Sequence, residues 1–159
     1  MRRYLTLALF IVLVLGGGTL IGFMTLPGAW YAGLAKPAFN PPNWIFAPVW
    51  TLLYLLMAIA AWLVWREHGL AVDLIPLGLY ILQLLLNATW SILFFGRHQI
   101  REALIEVIVF WVVLLLTLIS FWMVLPLAGA LLIPYLLWVT FATALNASLW
   151  QKNRETVTP

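Results

Sequence analysis

Four side chains spaced to share one helical face carry much of the chemistry open to this sequence. Tyr80, Gln83, Asn87 and Trp90 fall at i, i+3, i+7 and i+10 within a long apolar run. Polar groups at membrane depth avoid lipid and turn toward a bundle interior or a cavity. One reading makes this face a ligand wall, with the amides and the phenol orienting a guest. The other has Gln83 and Asn87 simply hydrogen-bonding neighbouring helices. Trp138, Ala142, Leu145 and Asn146 form a comparable face on the last apolar run. An aromatic, apolar cavity with a few amide and phenol groups suits a flat hydrophobic ligand.

The remaining reactive side chains exclude more than they offer. The chain has no cysteine, which removes disulfides, thiol catalysis and thiolate metal sites. His68 and His98 are far apart in connecting segments, with no carboxylate cluster at ligand spacing, so no metal site is expected. There is no P-loop, no Gly-rich dinucleotide fingerprint and no Ser/His/Asp set. Glu102 and Glu106 open an apolar run, where negative charge complements the helix dipole; a proton relay is the sharper alternative.

The elements that must position these residues follow from composition. Of 159 residues, 65% are hydrophobic and 8% charged, too little polar material to face water on all sides. The net charge of +3 comes from few residues near segment ends and reads as membrane anchoring, not as a nucleic-acid surface. Five apolar stretches are long enough to cross a bilayer: Tyr4 to Leu26, Trp44 to Trp65, Leu74 to Phe95, Ile100 to Val124 and Leu127 to Trp150. Their breaks are Pro27-Gly28, Arg66-Glu67-His68-Gly69, Gly96-Arg97-His98 and Pro126. Asp73 is placed to N-cap the third helix, with Pro76 in its first turn. Arg2 and Arg3 before an apolar run resemble a signal peptide. The run continues past signal-peptide length with no A-x-A pattern, so it is read as an uncleaved first helix. The expected fold is an all-α integral membrane protein, a bundle of five transmembrane helices in a single domain spanning residues 1–159.

Five crossings put Arg2, Arg3 and Arg66 on one side and Lys36, Arg97, Arg101, Lys152 and Arg154 on the other. The positive-inside rule then places the C-terminus in the cytoplasm. Trp62, Trp65 and Trp150 fall near helix ends and read as belt residues, and Gly18-x-x-x-Gly22 permits close helix approach.

One connection is long. Residues 27–43 carry Pro27, Pro37, Pro41 and Pro42 with Trp30, Tyr31 and Phe39. Such a stiff loop is either a lid or binding element, or an interfacial segment whose aromatics sit among headgroups. At a rise of about 1.5 Å per residue, Trp50 and Trp90 lie roughly 9 Å below the loop side and Trp138 roughly 18 Å. Large aromatics and the Asn87 amide therefore share the half of the bundle beneath the loop.

These residues together resemble the tryptophan-rich sensory protein and translocator protein family, also called the peripheral benzodiazepine receptor family, in its bacterial type. The resemblance covers nearly the whole chain. It rests on Trp30-Tyr31 and Lys36-Pro37, on Pro41-Pro42-x-Trp44, and on Pro48-Val49-Trp50-Thr51-x-x-Tyr54. It continues through Gln83-x-x-x-Asn87-x-x-Trp90-Ser91-x-x-Phe94-Phe95-Gly96, Pro134-Tyr135-x-x-Trp138 and Leu145-Asn146.

The resemblance implies a multi-pass bacterial membrane protein, a homodimer, with a ligand cavity under the 27–43 loop. It implies porphyrins of the protoporphyrin IX kind as ligands, with no obligatory cofactor, and benzodiazepine- or isoquinoline-type compounds in the same cavity. Carried over motif by motif, Tyr31, Trp50, Asn87, Trp90 and Trp138 are pocket residues. Trp44, Ala142 and Leu145 are additional lining, and Gln83 joins them from its helical face. Where sterol-binding members carry Leu-Asn-Tyr followed by a basic residue, this chain reads Leu145-Asn146-Ala147, with Gln151 in place of the arginine. High-affinity cholesterol binding is therefore not expected. Three classes of function follow: a receptor or sensor linked to tetrapyrrole homeostasis, a transporter of porphyrin or other small hydrophobic molecules, and a light- or oxidant-dependent porphyrin-degrading activity using Trp50 and Trp138. The absence of a clear internal repeat or a buried charged pair weighs against transport, and no residue spacing demonstrates catalysis.

Overall fold

The computed structural model describes residues 1–24, 28–68 and 74–157. Seven helical segments follow in order: α1 Arg2–Met24, α2 Ala29–Ala32, α3 Asn43–His68, α4 Leu74–Ser91, α5 Ile100–Val124, α6 Pro126–Leu131 and α7 Ile133–Val157. A wide π-helical turn, Ile92–Gly96, prolongs α4. No strand occurs among the described residues. Five segments are long and apolar enough to span a bilayer, with α6 and α7 together making the fifth. The chain is an integral, multi-pass membrane protein built as a five-helix bundle.

Proline placement explains several element ends. Pro76 lies in the first turn of α4 and Pro126 at the start of α6, where a missing N–H costs nothing. The continuous fifth helix expected from Leu127 is instead broken at Leu132. Pro134 has no N–H to return to the Ala130 carbonyl, so the chain closes α6 and starts α7 afresh. Arg66, Glu67 and His68 end α3 and do not form a loop, and the N-cap expected at Asp73 lies outside the described residues.

Within the bundle α4 packs along α5, α1 along α3, and α5 along α7. Ala58, Ala60 and Ala61 are fully buried on α3, small side chains that let neighbouring backbones close in. The Tyr80 hydroxyl donates to the Met57 carbonyl at 3.1 Å, tying α4 to α3. Trp62 corrects the belt reading: it is 8% exposed, inside the core, with the Arg66 guanidinium 5.0 Å from its ring centre. Helix α1 is the peripheral member. Only 6% of its most apolar stretch is buried, against 44% for α3. Its contacts run through Val14, through Phe10 at 6.3 Å from Trp65, and through Gly18, where an added methyl group would overlap the Tyr54 ring.

Candidate functional site

The long loop is folded down onto the bundle. Its single helical turn, α2, buries Tyr31 to 1% exposure between the rings of Phe95 (5.5 Å) and Phe94 (6.3 Å). Adjacent residues on an ordinary helix diverge by about 100°. The π-helical turn relaxes that geometry and lets Phe94 and Phe95, 4.7 Å apart, both reach Tyr31. The Tyr31 hydroxyl donates to Asn40 Oδ1 at 2.9 Å. Burial pushes this phenol above its ordinary pKa, with the Asn40 hydrogen bond opposing the shift. Lys36 Nζ donates to the carbonyls of Ala32 (3.1 Å) and Leu34 (3.2 Å) and sits 5.0 Å from the Tyr31 ring centre, fixing the segment that follows α2.

Two longer-range fasteners hold the loop. Asn153, near the end of α7, accepts from the Ala35 N–H and donates to the Ala35 carbonyl, both at 2.9 Å. On the other flank Trp30 stacks on His98, with centroids 4.1 Å apart and planes 8° from parallel. His98 has a φ of 59°, a left-handed conformation uncommon for a residue with a side chain, which turns the chain between Gly96 and α5.

Beneath the loop lies a cavity of about 660 Å³, within the range of small-molecule sites. Tyr31, Trp44, Trp50, Trp90, Trp138, Ala142 and Leu145 all line it, so the structure brings together seven of the nine residues singled out from sequence. Trp50 stands nearly perpendicular to Trp138 at 6.3 Å and stacks on Tyr54 at 5.6 Å. Phe46 meets Trp138 edge-on at 6.0 Å, and Phe141 packs against Trp138 at 5.4 Å. The Trp90 N–H donates to Asn146 Oδ1 at 3.0 Å, and Asn146 in turn donates to the Ile100 carbonyl at 3.0 Å. The buried Trp138 N–H, by contrast, has no hydrogen-bond partner among the described residues.

Gln83 and Asn87 lie elsewhere. Tyr135 donates to Gln83 Oε1 at 2.8 Å and accepts from Asn87 Nδ2 at 2.6 Å, while Tyr54 donates to Asn87 Oδ1 at 3.5 Å. These two amides are buried and joined to α3 and α7, away from the main lining; Asn87 borders a separate small cavity against α1. A buried amide with all partners supplied by protein is a structural joint, since its unmade hydrogen bonds would cost about 1–3 kcal/mol. The sequence pattern missed the contributions of Phe46, Phe141 and the α1 wall of Gly18, Thr19, Ile21 and Gly22. It also missed Asn153 and His98 as holders of the loop. Gly18-x-x-x-Gly22 was the one signal for the α1 wall, and nothing marked the others. Among the described residues no group of three His, Asp or Glu side chains is placed to hold a metal ion.

The arrangement is an aromatic cavity within a membrane bundle, roofed by a fastened loop. Residues 10–151 match the model of the TspO/MBR family. The chain is 39% identical over 158 residues to the tryptophan-rich protein TspO of Chlorobaculum tepidum, covering 96% of this chain and 98% of that one. It is 37% identical over 148 residues to protein CrtK of Rhodobacter capsulatus, covering 91% and 89%. Against the translocator protein of Sus scrofa it is 42% identical over 127 residues, covering 79% and 75%. With its five spans, its roofed cavity and these matches along most of its length, the chain belongs to the TspO/MBR family.

Proposed function

We propose that this protein is a membrane receptor or sensor that binds planar, hydrophobic ligands of the protoporphyrin IX type in the cavity beneath the 27–43 loop, in the service of tetrapyrrole homeostasis. Benzodiazepine- and isoquinoline-type compounds share the chemistry the cavity favours and fall within the same proposal. The observation that carries it is the lining: indole, phenol and phenyl rings around about 660 Å³. Affinity comes from apolar burial and ring packing, and the few polar groups of the lining orient the guest.

Tryptophan-fluorescence titration of the purified protein with protoporphyrin IX tests this, with free tryptophan as the inner-filter control. Saturable quenching that weakens in Trp138→Phe supports the proposal. Quenching that never saturates, or that Trp138→Phe leaves unchanged, means porphyrin only partitions into the micelle, and the reading falls. A second reading, light- or oxidant-dependent porphyrin degradation, draws support from Trp50 and Trp138, which line the same cavity at 6.3 Å from each other. It requires a spectrally distinct product in illuminated wild type that is lost in Trp50→Phe/Trp138→Phe. Product formed by the double variant at the wild-type rate sinks it.

A further inference from the structure

The cavity's roof is fastened, but its side is not. The lining residues contributed by α4 and α7, and by the turn that prolongs α4, are all buried or half-buried. Thr19 and Gly22 of α1 and Asn43, Trp44, Ala47 and Thr51 of α3 line the same cavity and are exposed, Trp44 to 73%. Residues that face a cavity and the exterior at once mark an opening, and here all six lie on two neighbouring helices.

The glycines of α1 explain its shape. At Gly18 the helices touch, since a methyl group there would overlap the Tyr54 ring. One turn higher, a methyl group on Gly22 would meet no described atom within 4 Å. Helices α1 and α3 thus meet at Gly18 and part toward the loop, leaving a wedge-shaped slot. All six lip residues fall within the membrane-spanning stretches, with Asn43 at the very end of its stretch, nearest the loop. Deeper in, the lip is largely apolar: Thr51 spends its hydroxyl on the Ala47 carbonyl at 2.7 Å and is left to present its methyl group beside Ala47 and Gly22. Access through the roof would instead require breaking the Trp30–His98 stack and both Asn153–Ala35 hydrogen bonds.

We propose that the slot between α1 and α3 is a lateral portal, through which a planar hydrophobic ligand dissolved in the bilayer reaches the cavity without opening the loop, with Trp44 as its movable leaf. The proposal rests on the cavity being a ligand site. It is tested by stopped-flow binding of protoporphyrin IX to protein in lipid nanodiscs, followed by porphyrin fluorescence, after an equilibrium titration of each variant. Gly22→Trp plugs the slot from α1 and Thr51→Trp from α3; Trp44→Ala widens it; Asn153→Ala loosens the roof. Portal access is expected to lower association and dissociation rates together, by about tenfold, in the plugged variants, and to raise both in Trp44→Ala, because a passage acts on both directions of travel. Rates in Trp44→Ala and in a folded plugged variant that match wild type overturn the portal while leaving the binding site standing. So does acceleration confined to Asn153→Ala, which would put the route through the roof. Absence of saturable binding in the wild-type titration overturns portal and binding site together.

Discussion

Trp138 and Tyr135 stand one helical turn apart on α7 and do opposite things with their polar atoms. Tyr135 is fully buried and bonded to both amides of α4, whereas the Trp138 N–H is buried without a partner among the described residues. Trp138→Phe keeps an aromatic ring but replaces the indole that lines the cavity with a smaller one. A ligand packed on the indole loses apolar contact worth about 0.5–1.5 kcal/mol, so its Kd rises roughly twofold to tenfold, read by the porphyrin titration. Tyr135→Phe leaves Gln83 Oε1 and Asn87 Nδ2 without their partner, at a cost of about 1–3 kcal/mol. It is expected to lower the thermal unfolding midpoint in detergent more than Trp138→Phe does. The helical period of Tyr80, Gln83, Asn87 and Trp90 correctly identified an inward face, since a 3.6-residue repeat fixes direction. It could not show that Tyr135, on another helix, would occupy the two amides, because partner identity depends on tertiary register. Tyr31 adds a pH signature. Its phenol ionises less readily in the folded protein than in an unfolded chain, so its contribution is fully present below about pH 10, the unfolded value, and is lost as pH rises through the higher folded value. Loop docking is expected to be constant across neutral pH and to weaken only in strong alkali, with Tyr31→Phe removing that alkaline dependence of loop protection from hydrogen exchange.

The 27–43 loop was recognisable as an element because a long connection with four prolines and three large aromatics cannot make a tight helical hairpin. What holds it could not be read in the same way. The Asn153–Ala35 pair joins positions 118 residues apart, and neither residue type announces such a role in isolation. Nor does His98 announce the stack, which depends on a left-handed turn that histidine adopts more readily than most residues but still uncommonly. Asn153→Ala deletes two hydrogen bonds to one loop residue, worth about 1–3 kcal/mol together. Amide exchange at Ala35 and its neighbours is expected to accelerate roughly tenfold, by hydrogen exchange with mass spectrometry, while protection in the α3 core is unchanged. If the loop exchanges at the wild-type rate, the pair does not hold it. The same logic divides the prolines: Pro76 was placed in the first turn of its helix from sequence, Pro126 was read only as a break although it opens α6, and the break at Leu132 needed the position of Pro134 relative to α6.

In the bundle as a whole two of the described glycines, Gly18 and Gly129, are approached so closely that an added methyl group would collide with a neighbouring helix, and they differ in what yields. The five spans could be read from hydropathy because each must satisfy its own backbone in lipid, so length and apolarity alone define them. The two close approaches could not, because the chain has ten glycines and nothing in the sequence says which of them another helix approaches. At Gly129, in α6, an added methyl group would lie 2.8 Å or less from backbone and Cβ atoms of Trp122 on α5. That backbone belongs to a hydrogen-bonded helix and cannot step aside, so Gly129→Ala must push α6 off α5 and loosen the hairpin that turns the chain into its last crossing. At Gly18 the obstacle is the Tyr54 ring, which can rotate away. Rotation there sacrifices the Trp50 stack and the bond to Asn87, both at the cavity wall. Overpacking of this kind costs about 1–3 kcal/mol where something gives and more where nothing can. Gly129→Ala is therefore expected to produce the larger fall in thermal midpoint with porphyrin affinity retained in the protein that remains folded, whereas Gly18→Ala is expected to unfold less readily of the two but to bind porphyrin more weakly. Equal loss of stability in both, with affinity untouched in both, would mean that α1 and Tyr54 adjust without disturbing the cavity, and that the wall at Trp50 does not depend on the close approach of α1.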